Sequence, residues 1–474
     1  MTATPELREL LPAVHQVRDA ESGGPLRALL DVLEAEGRVV ELDVARLLDN
    51  WFIETCDPWL VPYIGDLLGV RAVHPVGPGT ASRRAHVANT LAYRRRKGTA
   101  AVLEQLAFDL TGWRARVVEF FQLLATAQYA KHIRPGNLRT PDLRDADGLE
   151  LLGGPFERAA HTGEVRRISP RRGRYDIPNV GLFLWRLQAY PLSRTTSRLI
   201  GTPGDGTFSF SPLGIDAPLF NPPRSERAVT HLAEEVNVPG ALRRRALFDE
   251  LEAVRQASVD GTSTPPRFFV PSDPALQVFT RAGSGDPFVE VPPERVLIAD
   301  LSLWQRPPAT KDYRRADSPT PQPLPIAVAV DPELGRLTFP AASTPVEVEV
   351  SSAYALSADV GGGPYDRSGH IDADFAARVQ WQAGVTREIA PVPGQIFATV
   401  AEAVQAWNAR PAGTVGVIAI TDSRTYEEDL TGADRIALPE GSELLVVAAD
   451  WPEVDVSGLP TRVTGRFVPR LLRP

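Results

Sequence analysis

The residues whose types and spacing come closest to chemistry are three carboxylates in the stretch TDSRTYEED: Asp422, Glu427 and Glu428. Two acids flanking a glycosidic bond are the equipment of a saccharide-cleaving enzyme. The same residues fit a polar turn between strands, where Asp and Ser bond their own backbone. No groove of aromatics is evident nearby, so the turn is the better reading. The seven histidines (His15, His74, His86, His132, His161, His231 and His370) make no His-x-x-x-His pair and have no cysteine partner. That pattern speaks against a zinc site. A Gly-x-x-x-x-Gly-Lys-Ser/Thr loop and a Gly-x-Ser-x-Gly elbow are both missing. GGGPYDR, Gly361 to Arg367, is the one glycine run that invites a phosphate, and without a strand before it and a helix after it a tight turn is expected instead. Cys56 is the single cysteine, set between Trp51 and Trp59, and reads as a buried structural thiol with no disulfide partner in the chain. No catalytic residue, metal site or cofactor is therefore expected.

Arginine comes in clumps: Arg94, Arg95, Arg96 and Lys97, and then Arg166, Arg167, Arg171, Arg172 and Arg174. Such forks bind phosphates or carboxylates. The formal charge of -8 and the pI near 5.6 favour carboxylates on protein partners over nucleic acid. A third triplet, Arg243, Arg244 and Arg245, opens a helical pattern at the end where the dipole disfavours cations. It reads as a solvated face, with an acidic partner as the second choice.

These groups must be carried by more than one domain, because 474 residues exceed a single core. Forty-four prolines and 37 glycines imply long extended connections. MTATPELREL has no basic region followed by an apolar run, and no stretch reaches the roughly 18 apolar residues of a membrane span. A cytoplasmic protein without direct membrane insertion is expected, unless it leaves inside a larger particle.

Residues 1–24 suggest a docking arm, with Leu7, Leu10, Leu11 and Val14 on one short amphipathic piece. Leu26, Leu29, Leu30 and Leu33 repeat at helical spacing, with Gly37 as a stop, and Val44, Leu47, Leu48 and Trp51 repeat it in a second helix. In DPWLVPYIGDLLGV, Asp57 is the expected N-cap, Pro58 the first helical residue and Gly69 the terminator. RRAHVANTLAYRRRKGTAAVLEQLAFDLTGW, Arg83 to Trp113, reads helix, break, helix: Val87 and Leu91 make a stripe, Gly98 ends it, Thr99 caps the next helix, and Gly112 stops that one. Trp51, Phe52, Trp59, Tyr63 and Trp113 are expected to fill the core between these helices.

Val117 to Leu124 is apolar enough for a strand or the start of a helix. VGLFLWRLQAYPL, Val180 to Leu192, is the best strand candidate of the middle region, and Gly201 to Pro223 has the texture of an arm lying along a neighbour, with Phe208, Phe210 and Phe220 as its contacts. A helix is expected over Leu242 to Gln256. PLPIAVAVDPELGRLTFP reads strand, turn, strand, and VEVEVSSAYAL alternates like a half-buried strand. A helix over Thr399 to Trp407 and strands at Val415 to Ile420, IAL and ELLVVAA close the pattern, similar to the opening coils of a parallel β-solenoid. The expected fold class is multidomain α+β: an N-terminal arm (1–24), a helical bundle docking domain (25–120), an extended Pro/Gly-rich middle with short strands and arms (121–310), a mainly-β domain (311–395) and a small α/β or rudimentary solenoid domain (396–474).

PWLVPYIGDLLGV and YRRRKGTAAVLEQLA, in that order, resemble the phage tail protein I family over residues 40 to 115. DPELGRLTFP followed by a strand and GGGPYDR also resembles the later part of large baseplate proteins of phage-like injection systems. The family's members are baseplate wedge subunits of contractile tails. The resemblance implies a non-enzymatic structural role in a six-fold baseplate. Its implied partners are a companion wedge protein, neighbouring wedge copies, the central spike hub and the sheath- and tube-initiating proteins. Residues expected at such interfaces are Leu26, Leu30, Leu47, Trp51, Trp59, Tyr63, Arg94, Arg95, Arg96, Lys97, Arg171, Arg172, Phe208, Phe210 and Phe220. The rival classes are a glycan-binding or glycan-cleaving protein with its site in the C-terminal β region, and an adaptor outside any particle.

Overall fold

The first two helices of the computed structural model are α1 (Ala13–Glu21) and α2 (Pro25–Asp49). The structure describes residues 7, 9–70, 83–133, 139–164, 173–225, 231–315, 317–318, 320–360, 373–449, 453–456 and 459–462. It divides into two compact units, Met1–Gly112 and Trp113–Pro474. Gly37 does not stop α2, which replaces the two helices expected there. Glycine ends a helix by taking positive φ, and Gly37 stays outside that region. Its cost of about 1 kcal/mol relative to alanine is borne by good helix formers on both sides. The expected N-terminal arm is partly helix as well: the Asp19 carboxylate at the end of α1 accepts from the first-turn amides of α2, Leu26 N at 2.7 Å and Arg27 N at 3.0 Å.

The third helix, α3 (Val61–Leu67), begins a turn later than Asp57 and Pro58 suggest. A helix begun at Pro58 would put Pro62 where an amide must reach back to residue 58, and proline has none. Starting at Val61 places Pro62 in the first turn, and Asp57 to Leu60 forms a separate turn closed by Leu60 N to Asp57 O. Gly69 takes φ 66°, and Val70 N bonds Gly65 O at 2.8 Å, as a helix C-terminus requires.

Helices α4 (Arg83–Arg95) and α5 (Ala100–Thr111) flank the expected break, with Gly98 and Gly112 at positive φ. Thr99 does not cap α5 with its side chain; its hydroxyl donates back to Arg96 O. The two helices are joined at Asp109, whose carboxylate accepts from Asn89, Gln105 and the Tyr93 hydroxyl. Burial, reinforced by that carboxylate, pushes the Tyr93 phenol well above its usual range.

The core of this unit is small. Cys56, Val61 and Val87 are buried, with Ile53, Leu60, Ile64, Leu68 and Val70 packed around them. Arg84 secures the turn over Cys56 by donating to Ile53 O and Cys56 O. The aromatics expected in this core are outside it: Trp51, Phe52, Trp59 and Tyr63 are all exposed, and α2 has no buried residue.

In the second unit Val117 resolves to a strand, Ala115–Glu119, followed by a 3-10 turn over Phe120–Leu123. The strand pairs antiparallel with Val180–Leu184. The single strand expected at Val180 to Leu192 is two, because the chain leaves this ribbon at Trp185 and enters another sheet as Gln188–Thr196. A short helix, α6 (Ala146–Glu150), is capped by Asp145.

Two sheets make the main body. The mixed one has strand order Val296–Ile298, Val328–Asp331, Arg336–Thr338, Thr207–Ser209, Arg198–Leu199. The antiparallel one has order Gln188–Thr196, Glu347–Leu356, Gln277–Arg281, Val289–Glu290. Strands on both sides of residue 310 pair in each sheet, so the boundary expected there runs through continuous hydrogen bonding.

The Gly201 to Pro223 stretch is not a free arm. Phe208 faces Leu337 in register, Phe210 N bonds Gly335 O, Leu219 N bonds Pro332 O and Phe220 N bonds Ala353 O. Phe208 and Phe210 are buried in the main core with Leu242, Leu247 and Leu251, and Phe220 is half-buried. Phe208 and Phe210 therefore have their burial within the chain itself, which differs from the exposed arm expected for them, while Phe220 keeps part of its ring open. The turn they pack on needs glycine at 335, where φ is 63° and an added Cβ would lie 2.5 Å from Ala217 O. Gly335→Ala is expected to cost about 1–3 kcal/mol in chemical denaturation; an unchanged midpoint would contradict this close approach.

Helix α7 (Arg244–Asp260) places Leu247 and Leu251 in that core. Its unfavourable cations meet carboxylates of the same chain: Arg243 with Asp147, Glu150 and Glu235, Arg244 with Asp331 and Glu333, and Arg245 with Glu150. Further along α7, Arg255 is fully buried and donates to Tyr313 Oη, Val296 O and Glu252. Burial works against the Glu252 carboxylate, and the Lys311 and Arg255 hydrogen bonds outweigh it, leaving its pKa below the usual range.

After α8 (Ala373–Arg378) comes an all-parallel sheet of order Ile396–Phe397, Trp381–Val385, Val415–Ile420, Glu443–Ala448, with α9 (Val400–Asn408) crossing between its outer and inner strands. It is an α/β module and not a solenoid coil, and IAL at Ile436 forms no strand. Its first strand precedes residue 396, so the module spans the expected 395/396 boundary. Trp381, Val404, Trp407 and Ile418 form its core. Thr399 caps α9 by accepting from Glu402 N.

Candidate functional site

The carboxylates of TDSRTYEED are occupied as a turn would occupy them. Asp422 is 3 % exposed and accepts from Thr386 Oγ1, the amides of Arg387 and Arg424, and the Tyr426 hydroxyl. Burial and this carboxylate push the Tyr426 phenol far up. Glu428 accepts from Val400 N and Ala401 N, the first amides of α9. Glu427 pairs with Arg198 at 2.8 Å. Asp422 and Glu428 are thus held by backbone donors of their own module. GGGPYDR lies outside the described residues, as do Arg166, Arg167, Arg171 and Arg172. Arg174 donates to Gly153 O. Among the described residues no group of three or more His, Cys, Asp or Glu is placed to hold a metal ion, and no helix is long and apolar enough to cross a membrane.

A polar trio exists at His161, Glu157 and Tyr175, of which Glu157 is buried and the two rings are half-buried. The imidazole meets Glu157 Oε1 at 2.5 Å and stacks on the Tyr175 ring at 3.7 Å, while the Tyr175 hydroxyl donates to Glu157 Oε2 at 2.7 Å. Burial and the Glu157 bond push Tyr175 up to about 12. A phenol that far from neutral pH is a hydrogen-bond donor and no base, and the trio reads as an anchor for the Val118, Phe120 and Leu123 cluster beside it.

Among the described residues two surfaces stand out. The first is on the N-terminal unit, where Leu47 is 59 %, Leu48 66 %, Trp51 80 %, Trp59 62 % and Tyr63 64 % exposed. Leu26 and Leu30 are half-buried, and Arg94, Arg95, Arg96 and Lys97 are exposed at the end of α4. So many large apolar groups in sequence along one helix and the turn after it exceed scattered surface leucines.

The second is a cavity of about 500 Å³ where the antiparallel sheet meets the parallel module, lined by Ser197, Arg198, Glu347, Arg387, Thr425 and Glu427 among others. Beneath it, Glu349 is buried and held by Arg194 at 2.8 Å and Arg424 at 3.0 Å. Arg194 sits at φ 52°, beside the bulge between Val350 and Ser352, with its amide on Ser351 Oγ. A non-glycine residue there is strained, and the Glu349 and Ser351 bonds hold it. Arg194, Arg281 and Arg424 also surround the Phe288 ring, 4.8 to 5.8 Å from its centroid. The two modules are thereby fixed around the cavity, and Thr425 N bonds Thr196 Oγ1 across its wall.

Sequence reading found Glu427 and missed Ser197, Arg198, Glu347 and Arg387. They lie on segments up to 190 residues apart in sequence with no local motif, so no signal short of the fold joins them. In comparison with known proteins, no family model, curated protein or solved structure matches the chain.

Proposed function

We propose that this protein is a structural, non-enzymatic baseplate wedge component of a contractile, phage tail-like injection system, joining neighbouring wedges to the central hub and sheath. The observation that carries the reading is α2 together with the turn after it: 25 helical residues without one buried side chain, continued by exposed Trp51, Trp59 and Tyr63. Burying each such side chain is worth about 1.5–3 kcal/mol, a driving force that the small core around Cys56 leaves unused. A companion wedge helix laid along α2 would use it. The likeness of PWLVPYIGDLLGV and YRRRKGTAAVLEQLA to phage tail protein I supports the same assignment. The exposed Arg94 to Lys97 cluster supplies charge for carboxylates on a neighbour.

In producing cells, the protein is expected to co-sediment with sheath and tube proteins, at a few copies per particle by mass spectrometry. Leu47→Glu with Trp51→Glu should leave the purified chain helical and more soluble while removing it from those particles at least tenfold. Normal incorporation of the double variant would refute the role assigned to α2, and absence of the unaltered chain from sheath-bearing particles would refute the wedge reading.

A further inference from the structure

The exposed face of α2 has the spacing of a coiled-coil seam. From Leu26 to Leu30, Leu33 and Gly37 it advances by four, three and four residues. It continues through Val40 and Val44 to Leu47, with Trp51 just beyond the helix, by three, four, three and four. A strict seven-residue repeat drifts around a straight α-helix and stays on one face when two helices wind about each other with a left-handed twist. The start of the seam is partly covered: Leu26 and Leu30 are half-buried where Asp19, at the end of α1, holds the first amides of α2. Beyond them Leu33 is 51 %, Val40 62 % and Val44 61 % exposed. Leu33 to Leu47 is about 21 Å of open seam at 1.5 Å per residue.

The second observation is how charge is sorted around that seam. With Leu30 as the first position of a heptad, Glu34 and Glu41 take the fifth and Glu36 and Asp43 the seventh, the places that flank a partner helix. All four are acids. The cations Arg38 and Arg46 stand at second and third positions, away from the seam. Glu36, Glu41 and Asp43 are exposed and make no ion pair among the described residues. Two parallel copies of α2 would set Glu36 of one against Glu41 of the other, and antiparallel copies would pair fifth with fifth and seventh with seventh positions, again acid on acid. Like charges so placed cost affinity. A lipid surface suits the pattern no better, because helices that lie on anionic membranes carry lysine and arginine on their polar face.

We propose that α2 pairs with one amphipathic helix of a different protein, a helix that repeats apolar residues on the same heptad and carries lysine or arginine at its fifth and seventh positions. Its cations meet Glu34, Glu36, Glu41 and Asp43, and its apolar row covers the seam from Leu33 to Trp51. Gly37 leaves a notch in that seam, where an added Cβ would meet nothing within 4 Å, so a bulky side chain of the partner fits there. The inference rests on the docking role given to α2 above and names the chemistry of what docks.

Fluorescence anisotropy of labelled four-heptad peptides, titrated with the full chain, tests it. The peptides carry leucine at first and fourth positions and either lysine or glutamate at fifth and seventh, so that neither pairs with itself; a scrambled lysine peptide is the control. The lysine peptide is expected to bind with a Kd below about 20 μM, roughly tenfold or more tighter than the other two, and to weaken as salt is added. Glu36→Lys with Glu41→Lys, both on the exposed surface, should reverse the preference between lysine and glutamate peptides. Leu47→Glu with Trp51→Glu should weaken the lysine peptide roughly tenfold or more, and circular dichroism with melting curves checks that both variants are folded. Failure of the lysine peptide to bind, equal binding of the glutamate or scrambled peptide, or an unchanged preference in the folded charge-swapped chain would each overturn the proposal. So would a dimer of the chain that Leu47→Glu dissolves and the lysine peptide does not, or tighter binding to phosphatidylserine vesicles than to the peptide. Peptide pairing by a chain that sheath-bearing particles exclude would sink the wedge reading alone, and incorporation without pairing would sink this inference alone.

Discussion

Asp331→Ala is expected to destabilise the Trp113–Pro474 unit by roughly 3–5 kcal/mol. The side chain is fully buried at the start of the DPELGR turn. Its carboxylate accepts from Arg244 Nε at 2.8 Å, Leu301 N at 2.9 Å, Glu333 N at 3.1 Å and Leu334 N at 3.3 Å. Alanine removes the acceptor and leaves the donors, and an unmatched donor costs more than the bond it formed. Asp331→Asn keeps the shape, but an amide nitrogen must then face one of the donors, so an intermediate loss is expected. Denaturant titration of the full chain, following the transition of this unit, reads both. A loss below about 1 kcal/mol for alanine would mean that water or another acceptor replaces the carboxylate, and that Asp331 is not the hub of the turn.

Trp407→Ala should cost about 3–5 kcal/mol in the parallel module. The indole is 2 % exposed, lies 5.8 Å from the Trp381 ring and donates Nε1–H to Ala437 O at 2.7 Å. Gly416 admits it: a Cβ there would stand 2.6 Å from the Trp407 ring. Truncation therefore opens a large cavity against a strand that cannot fill it, and also orphans a carbonyl. Hydrogen exchange of the Val415–Ile420 amides is the local readout. Their protection should fall by at least a hundredfold, since 1.36 kcal/mol is a factor of ten. Unchanged protection would show that this strand does not depend on α9.

Local chemistry made much of the chain legible. The break between α4 and α5 follows from Gly98, the C-terminus of α3 from Gly69, and the extent of Val415–Ile420 from its apolar run, because each depends on neighbours in sequence. The TDSRTYEED turn was legible for the same reason. Local signals failed where two of them competed, as at Gly37 inside α2 and at Pro58 against Pro62. They also failed where an apolar residue had a distant partner. Phe208 and Leu337 are adjacent in a sheet and 129 positions apart, so Gly201 to Pro223 resembled an arm until its strand neighbours were known.

By itself the sequence determined the helices from α3 to α5, α7 and α9, the glycine ends at Gly69, Gly98 and Gly112, and that the N-terminal helices carry apolar stripes that need a partner for burial. Only the tertiary structure decided where that surface goes. It buried Phe208 and Phe210, left α2 and Trp51 bare, answered Arg243 to Arg245 with carboxylates from four other segments, and brought Ser197, Glu347 and Arg387 around one cavity. The physical reason is range: capping and periodicity act within a few residues, whereas burial and charge pairing depend on which distant strands the core draws together.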